Sequence, residues 1–112
     1  MAKRRGRKKL TVVGPHRGHG LRWSKRAIGR LTSIRDYIAR DSTEAAARVA
    51  AAIVEAALRL EEFPLMGRVG RIEGTRELVV PGLPYILPYR IVDDVIQIAS
   101  VIHTSRKWPE RL

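Results

Sequence analysis

At 112 residues the chain is long enough for one small domain, and a single hydrophobic core does not normally divide below a few hundred residues. Hydrophobic residues make up 45% of it, which excludes wholesale disorder, and the absence of cysteine excludes a disulfide scaffold, a thiolate zinc site and thiol chemistry. The formal charge of +11 is unevenly placed: eight of the 22 Lys and Arg residues fall in residues 1–22, which contain no Asp or Glu, leaving 14 basic residues against 11 acidic ones elsewhere. Attraction to polyanions therefore belongs mainly to the N-terminal stretch. No apolar run approaches the ~20 residues of a membrane span, and the basic N-terminus lacks the apolar middle of a secretory signal. A soluble, cytoplasmic protein without membrane contact is expected.

Residues 1–20 mix six cations within Lys3–Lys9 with Gly6, Gly14, Pro15, Gly18 and Gly20 and show no sustained period. They read as a flexible basic arm, with residues 21–112 as the folded domain. Leu21-Arg22-Trp23 reads as a short strand and Ser24 as the N-cap of a first helix running to about Arg40. Its apolar stripe is Ala27, Ile28, Leu31, Ile34 and Ile38, with Lys25, Arg26, Arg30, Arg35 and Asp36 on the rest of its surface. Asp41 and Glu44 fit the cap and N3 positions of a second helix, about Thr43 to Glu62, which Phe63-Pro64 ends. Its stripe is Ala46, Val49, Ala50, Ile53, Ala57, Leu58 and Leu60. So short a link makes the pair an antiparallel helical hairpin.

From Leu65 to Gly74 three glycines alternate with Arg68 and Arg71 and mark a loop. Arg76–Val80, Tyr85–Val92 and Val95–His103 are rich in β-branched and aromatic residues and are separated by turns at Pro81-Gly82 and Asp93-Asp94. The expected fold class is α+β: a short N-terminal strand, an antiparallel helical hairpin, then a three-stranded antiparallel meander forming one small sheet against the hairpin. Alternation turns Tyr85, Leu87, Tyr89 and Ile91 toward the helices. It groups Ile96, Ile98 and Ile102 on one face of the last strand and Gln97 and His103 on the other. Ile86, Arg90 and His103 are then expected on the open face of the sheet.

Several segments together resemble the RelE/ParE superfamily of toxins from type II toxin–antitoxin pairs. They are Leu21-Arg22-Trp23-Ser24, Asp36-Tyr37-Ile38-Ala39, Phe63-Pro64-Leu65-Met66-Gly67-Arg68 and Gly74-Thr75-Arg76-Glu77-Leu78. The strongest is Pro84-Tyr85-Ile86-Leu87-Pro88-Tyr89-Arg90-Ile91, followed by Val101-Ile102-His103. The resemblance spans about Leu21 to Trp108, so the basic arm falls outside it. It implies one of two activities: ribosome-dependent cleavage of messenger RNA, as in RelE-like toxins, or inhibition of DNA gyrase, as in ParE-like ones.

Cleavage through an internal 2′-hydroxyl needs a base, an acid and cations at the phosphate. The resemblance places an arginine after the first tyrosine of the penultimate strand in RelE-like nucleases, and here Ile86 follows Tyr85. The mid-chain lysines of those nucleases also lack counterparts, since beyond the arm only Lys25 and Lys107 remain. His103, Arg90 and Arg106 are the residues a nuclease would use; the pattern is closer to ParE. Arg68, Arg71, Arg76, Arg90, Arg106, Lys107 and Trp108 are the candidates for binding a target or an antitoxin, because arginine makes bidentate contacts and tryptophan anchors interfaces. No metal or other cofactor is expected.

The expected function is thus a plasmid stabilisation-like, ParE-like toxin. It arrests growth by binding an essential target, DNA gyrase, and is neutralised by a cognate antitoxin whose acidic segment folds on it, in a possible heterotetramer. The first alternative is a messenger RNA endoribonuclease acting with the ribosome. The second is a non-toxic module that grips nucleic acid through its arm.

Overall fold

The computed structural model describes residues 20–112, so all of the basic arm except Gly20, which opens the first strand, lies outside the described residues. Strand β1 (Gly20–Trp23) leads directly into helix α1 (Lys25–Ala39), and helix α2 (Thr43–Leu58) runs on into a short 3₁₀ turn, Arg59–Glu61. The strands that follow are β2 (Arg68–Val69), β3 (Arg76–Val79), β4 (Tyr85–Val92), β5 (Val95–Ile98) and β6 (Ile102–His103). They form one sheet in the order β1-β5-β4-β3-β2, with β6 also on β4; β1 runs parallel to β5 and every other pairing is antiparallel. The α+β architecture is the expected one, with a two-residue strand added inside the glycine-rich stretch read as loop. No helix among the described residues is long and apolar enough to cross a membrane.

Ser24 joins the two layers. Its hydroxyl caps α1 by accepting from the Ala27 N–H at 3.0 Å and donates to the Ala99 carbonyl at 2.9 Å. The second helix is capped by Ser42, which accepts from the Ala45 N–H at 3.0 Å, and not by Asp41. The Asp41 and Ser42 N–H groups both still bond to the Ile38 carbonyl; Ser42 is the cap because its backbone is extended, φ −157° and ψ 111°, and its carbonyl accepts the Ala46 N–H. Ala27, Ile53, Ala57 and Leu60 from the helices meet Leu78, Leu87, Tyr89, Ile96 and Ile98 from the sheet in one core, with Leu31, Ile34, Trp23 and Tyr85 packed at its margin. Ile28 and Leu58, expected in the stripes, are instead exposed. Asp93 and Asp94 both have positive φ, 50° and 66°, which matches the twist that a tight β4–β5 hairpin requires.

The last strand is not continuous. Tyr89 stands opposite Ile98 in the β4–β5 ladder, but Tyr85 stands opposite His103 and Ile86 opposite Ile102 in β4–β6. One extra residue is therefore inserted between Ile98 and Ile102, around the point where the Ala99 N–H bonds to the Pro88 carbonyl. A one-residue slip exchanges the two faces. His103 lies on the helix side with Tyr85, and Ile102 on the far side with Ile86 and Arg90, the reverse of the alternation read from the sequence.

Candidate functional site

A groove of about 680 Å³ opens between α1 and β6 with the segment that follows it. Arg26, Arg30, Ser33 and Tyr37 reach it from one face of α1, at spacings of four, three and four residues; Tyr85, His103, Arg106 and Lys107 line the other side. Ile34 and Ile38 supply an apolar floor, and no Asp or Glu lines it. Ion pairs between described residues are Arg35–Asp36, Arg68–Glu77 and Arg71–Glu77, and none of them involves the four groove cations. His103 sits edge-on to Tyr85, ring centroids 5.3 Å apart. Its Nδ1 accepts the Ser105 N–H at 3.1 Å and lies 2.8 Å from the Ser105 hydroxyl. With Nδ1 the acceptor, the neutral ring carries its proton on Nε2.

A second cluster stands on the far face of the sheet. Glu77 faces Pro88 across the β3–β4 ladder and Arg68 across β2–β3, and its side chain is only 2% exposed. Four donors converge on it: Arg68 Nε and its terminal nitrogen at 3.1 and 3.0 Å, the Arg71 N–H at 2.8 Å and Arg71 Nε at 3.3 Å. Burial is the largest influence and pushes the carboxyl pKa up. The Arg71 N–H and the two guanidinium groups together outweigh it and bring it below the ordinary value of 4.5. Trp108 lies against Arg71, ring centroid 3.8 Å from the guanidinium carbon, and its buried Nε1 finds no partner among the described residues. Leu112 shares a small cavity with Arg26, Arg90 and Gln97. The face expected to be open is thus partly occupied by the C-terminal segment.

Between these regions Phe63-Pro64-Leu65-Met66 closes a turn, the Met66 N–H bonding to the Phe63 carbonyl. Two strand residues hold its backbone. The Tyr89 hydroxyl donates to the Pro64 carbonyl at 2.7 Å and accepts the Gly67 N–H at 3.0 Å; Arg76 donates to the Gly67 carbonyl at 2.7 Å and the Leu65 carbonyl at 3.3 Å. A Cβ on Gly67 would fall 2.6 Å from the Tyr89 hydroxyl and 2.9 Å from the Glu77 carbonyl oxygen, so the close approach requires glycine.

The model of the family described as the ParE toxin of the type II toxin–antitoxin system parDE matches residues 21–108. The chain belongs to the ParE toxin family. Among curated relatives it is 50% identical over 92 residues to Y4kP of Sinorhizobium fredii, covering 82% of this chain and 95% of that protein. It is 38% identical over 84 residues to the toxin RelE2 of Caulobacter vibrioides, covering 75% and 93%. Among solved structures it superposes on a chain of the chromosomal ParDE system of P. aeruginosa with a TM-score of 0.73 at 26% identity, covering 81% of this chain and all of that one. The RelBE2 toxin–antitoxin complex of Mycobacterium tuberculosis follows at 0.57 and 28%, covering 77% and 98%.

In this ParE-family toxin the residues singled out from sequence divide among three places, with Arg90 apart from all of them. His103, Arg106 and Lys107 share the groove; Arg68, Arg71 and Trp108 share the Glu77 cluster; Arg76 holds the turn from the helix-facing side, opposite Tyr89. Arg90 lies opposite Gln97 on the far face, so it does not join His103. Sequence reasoning passed over Arg26, Arg30 and Tyr37, whose helical spacing beside the apolar stripe was the available signal. It also passed over Glu77 as the organiser of two arginines. Among the described residues no group of three or more His, Asp or Glu is placed to hold a metal ion.

Proposed function

We propose that this ParE-family toxin arrests bacterial growth by binding an essential target, DNA gyrase, without cutting RNA, and that a cognate antitoxin neutralises it. His103 carries this conclusion. Its Nδ1 lone pair is taken up by the Ser105 N–H, so that nitrogen is not open to a 2′-hydroxyl. The groove around it has no carboxylate to serve instead, and Arg90 is on the other side of the sheet. Four cations over an apolar floor suit an acidic amphipathic segment. That is the chemistry of an antitoxin segment that folds on its toxin, and a heterotetramer of two toxins and two antitoxins agrees with it.

The direct test is supercoiling of relaxed plasmid by purified gyrase with the toxin added. Inhibition that the antitoxin reverses supports the proposal; full supercoiling at saturating toxin contradicts it. The ribosome-dependent endonuclease is a second reading, favoured by the presence of Arg106 and Lys107 beside His103. It requires cut transcripts in a translation extract.

A further inference from the structure

Phe63, Leu65 and Met66 are 54%, 64% and 42% exposed, and Val69 on the neighbouring edge strand β2 is 76% exposed. Apolar side chains at a loop tip ordinarily fold inward or belong to a mobile segment. Here the backbone beneath them is fixed by a buried tyrosine and an arginine through four hydrogen bonds, on a glycine that tolerates no side chain. Holding a loop rigid while its apolar groups face water lowers the ordering cost of a later contact. Leu60 anchors the preceding turn in the core.

We infer that the Phe63–Met66 turn is a preorganised docking element for a folded protein that offers an apolar pocket edged by carboxylates, and that this protein is the toxin's target. The inference rests on the proposed target-binding function. Order and place separate the target from the antitoxin: an exposed apolar turn held by four hydrogen bonds suits a pocket already formed in a folded protein, whereas a segment that folds on binding seeks a groove, and the cationic groove lies beside α1. Charge sets the rim of the pocket. Arg68 and Arg71 follow the turn with side chains 54% and 51% exposed, and Glu77 fixes both guanidinium groups in place. Carboxylates at the pocket edge would meet donors already oriented.

The test compares wild type with Leu65→Asp and Met66→Asp, using Ile28→Asp as a control at an exposed apolar position on α1. Thermal unfolding establishes that each variant is folded, and antitoxin affinity is measured beside it. Inhibition of purified gyrase holoenzyme and growth arrest on expression are then measured. Each turn variant should need about tenfold more toxin or greater for equal inhibition, the scale of losing a central apolar anchor, with antitoxin affinity unchanged and Ile28→Asp matching wild type. Folded turn variants as toxic as wild type would overturn the inference. Loss of antitoxin affinity instead would give the turn to the antitoxin, and a changed oligomeric state would give it to a second copy; either result overturns it. If wild type arrests growth but leaves gyrase untouched, and Leu65→Asp still loses toxicity, gyrase falls as the target and the docking turn stands. A wild-type chain that arrests nothing would defeat both.

Discussion

His103 stands directly opposite Tyr85 across the β4–β6 ladder, its ring edge-on to the tyrosine, and both face the helices. The inserted residue before Ile102 puts it there. The imidazole is thereby moved away from Arg90 and into a groove with cations from α1, where Ser105 holds its Nδ1. In this position it lines the groove beside α1.

Replacement of His103 by alanine should therefore leave growth arrest within about twofold of wild type, since the loss is limited to an exposed hydrogen bond and one ring contact. Titrating the inducer against growth rate measures it. A nuclease would lose its activity outright.

Arg30→Glu with Arg106→Glu should weaken antitoxin binding by about tenfold or more at low salt, and added salt should shrink the difference because the contacts are solvent-exposed. Isothermal titration at two ionic strengths reads both effects. The two variants should leave thermal stability nearly unchanged, as neither arginine is ion-paired with a described residue.

Tyr89→Phe removes the hydroxyl that joins Pro64 to Gly67 and should cost about 1–3 kcal/mol of stability in chemical denaturation, the range for unsatisfied buried partners. It should also reduce toxicity if the turn docks on the target. Burial raises the Tyr89 pKa above 10.0, against smaller opposite effects of the Gly67 N–H and the Arg76 charge. The folded state thus favours the protonated phenol. Its contribution is complete below pH 10.0 and is lost as pH rises through the higher folded value, a loss the phenylalanine variant should not show.

Glu77→Gln keeps the shape but removes the charge that holds Arg68 and Arg71, and a loss of about 1–3 kcal/mol is expected because both guanidinium groups are half exposed. The folded carboxyl has the lower pKa, so its stabilisation is present above 4.5 and disappears as pH falls through the folded value. Denaturation midpoints from pH 7 to pH 2 should fall more steeply for wild type than for the variant.

The helical hairpin is legible in the sequence because Leu31, Ile34, Val49 and Ile53 recur at helical spacing and the link between the helices is short. The β4–β5 hairpin is legible because Asp93-Asp94 interrupts two β-rich runs. The face of His103 is not, because Val101 and Ile102 are consecutive apolar residues and nothing in the alternation marks the inserted residue. The cap of α2 is ambiguous for a similar reason: Asp41 and Ser42 both have capping chemistry, and only the extended backbone at Ser42 decides between them. Arg26 and Arg30 read as a solvated helix face until β6 is placed beside them. Phe63 reads as a helix end and Leu65 as loop, since their exposure depends on Tyr89 and Arg76, which come from strands far along the chain.

Controlled expression in a bacterial host, with DNA and protein synthesis followed by separate pulse labels, tests the central claim most directly. Early loss of DNA synthesis, with transcripts intact and translation falling only later, is the expected result. Early loss of translation with cut transcripts, abolished by His103→Ala, would contradict a toxin that acts by binding gyrase.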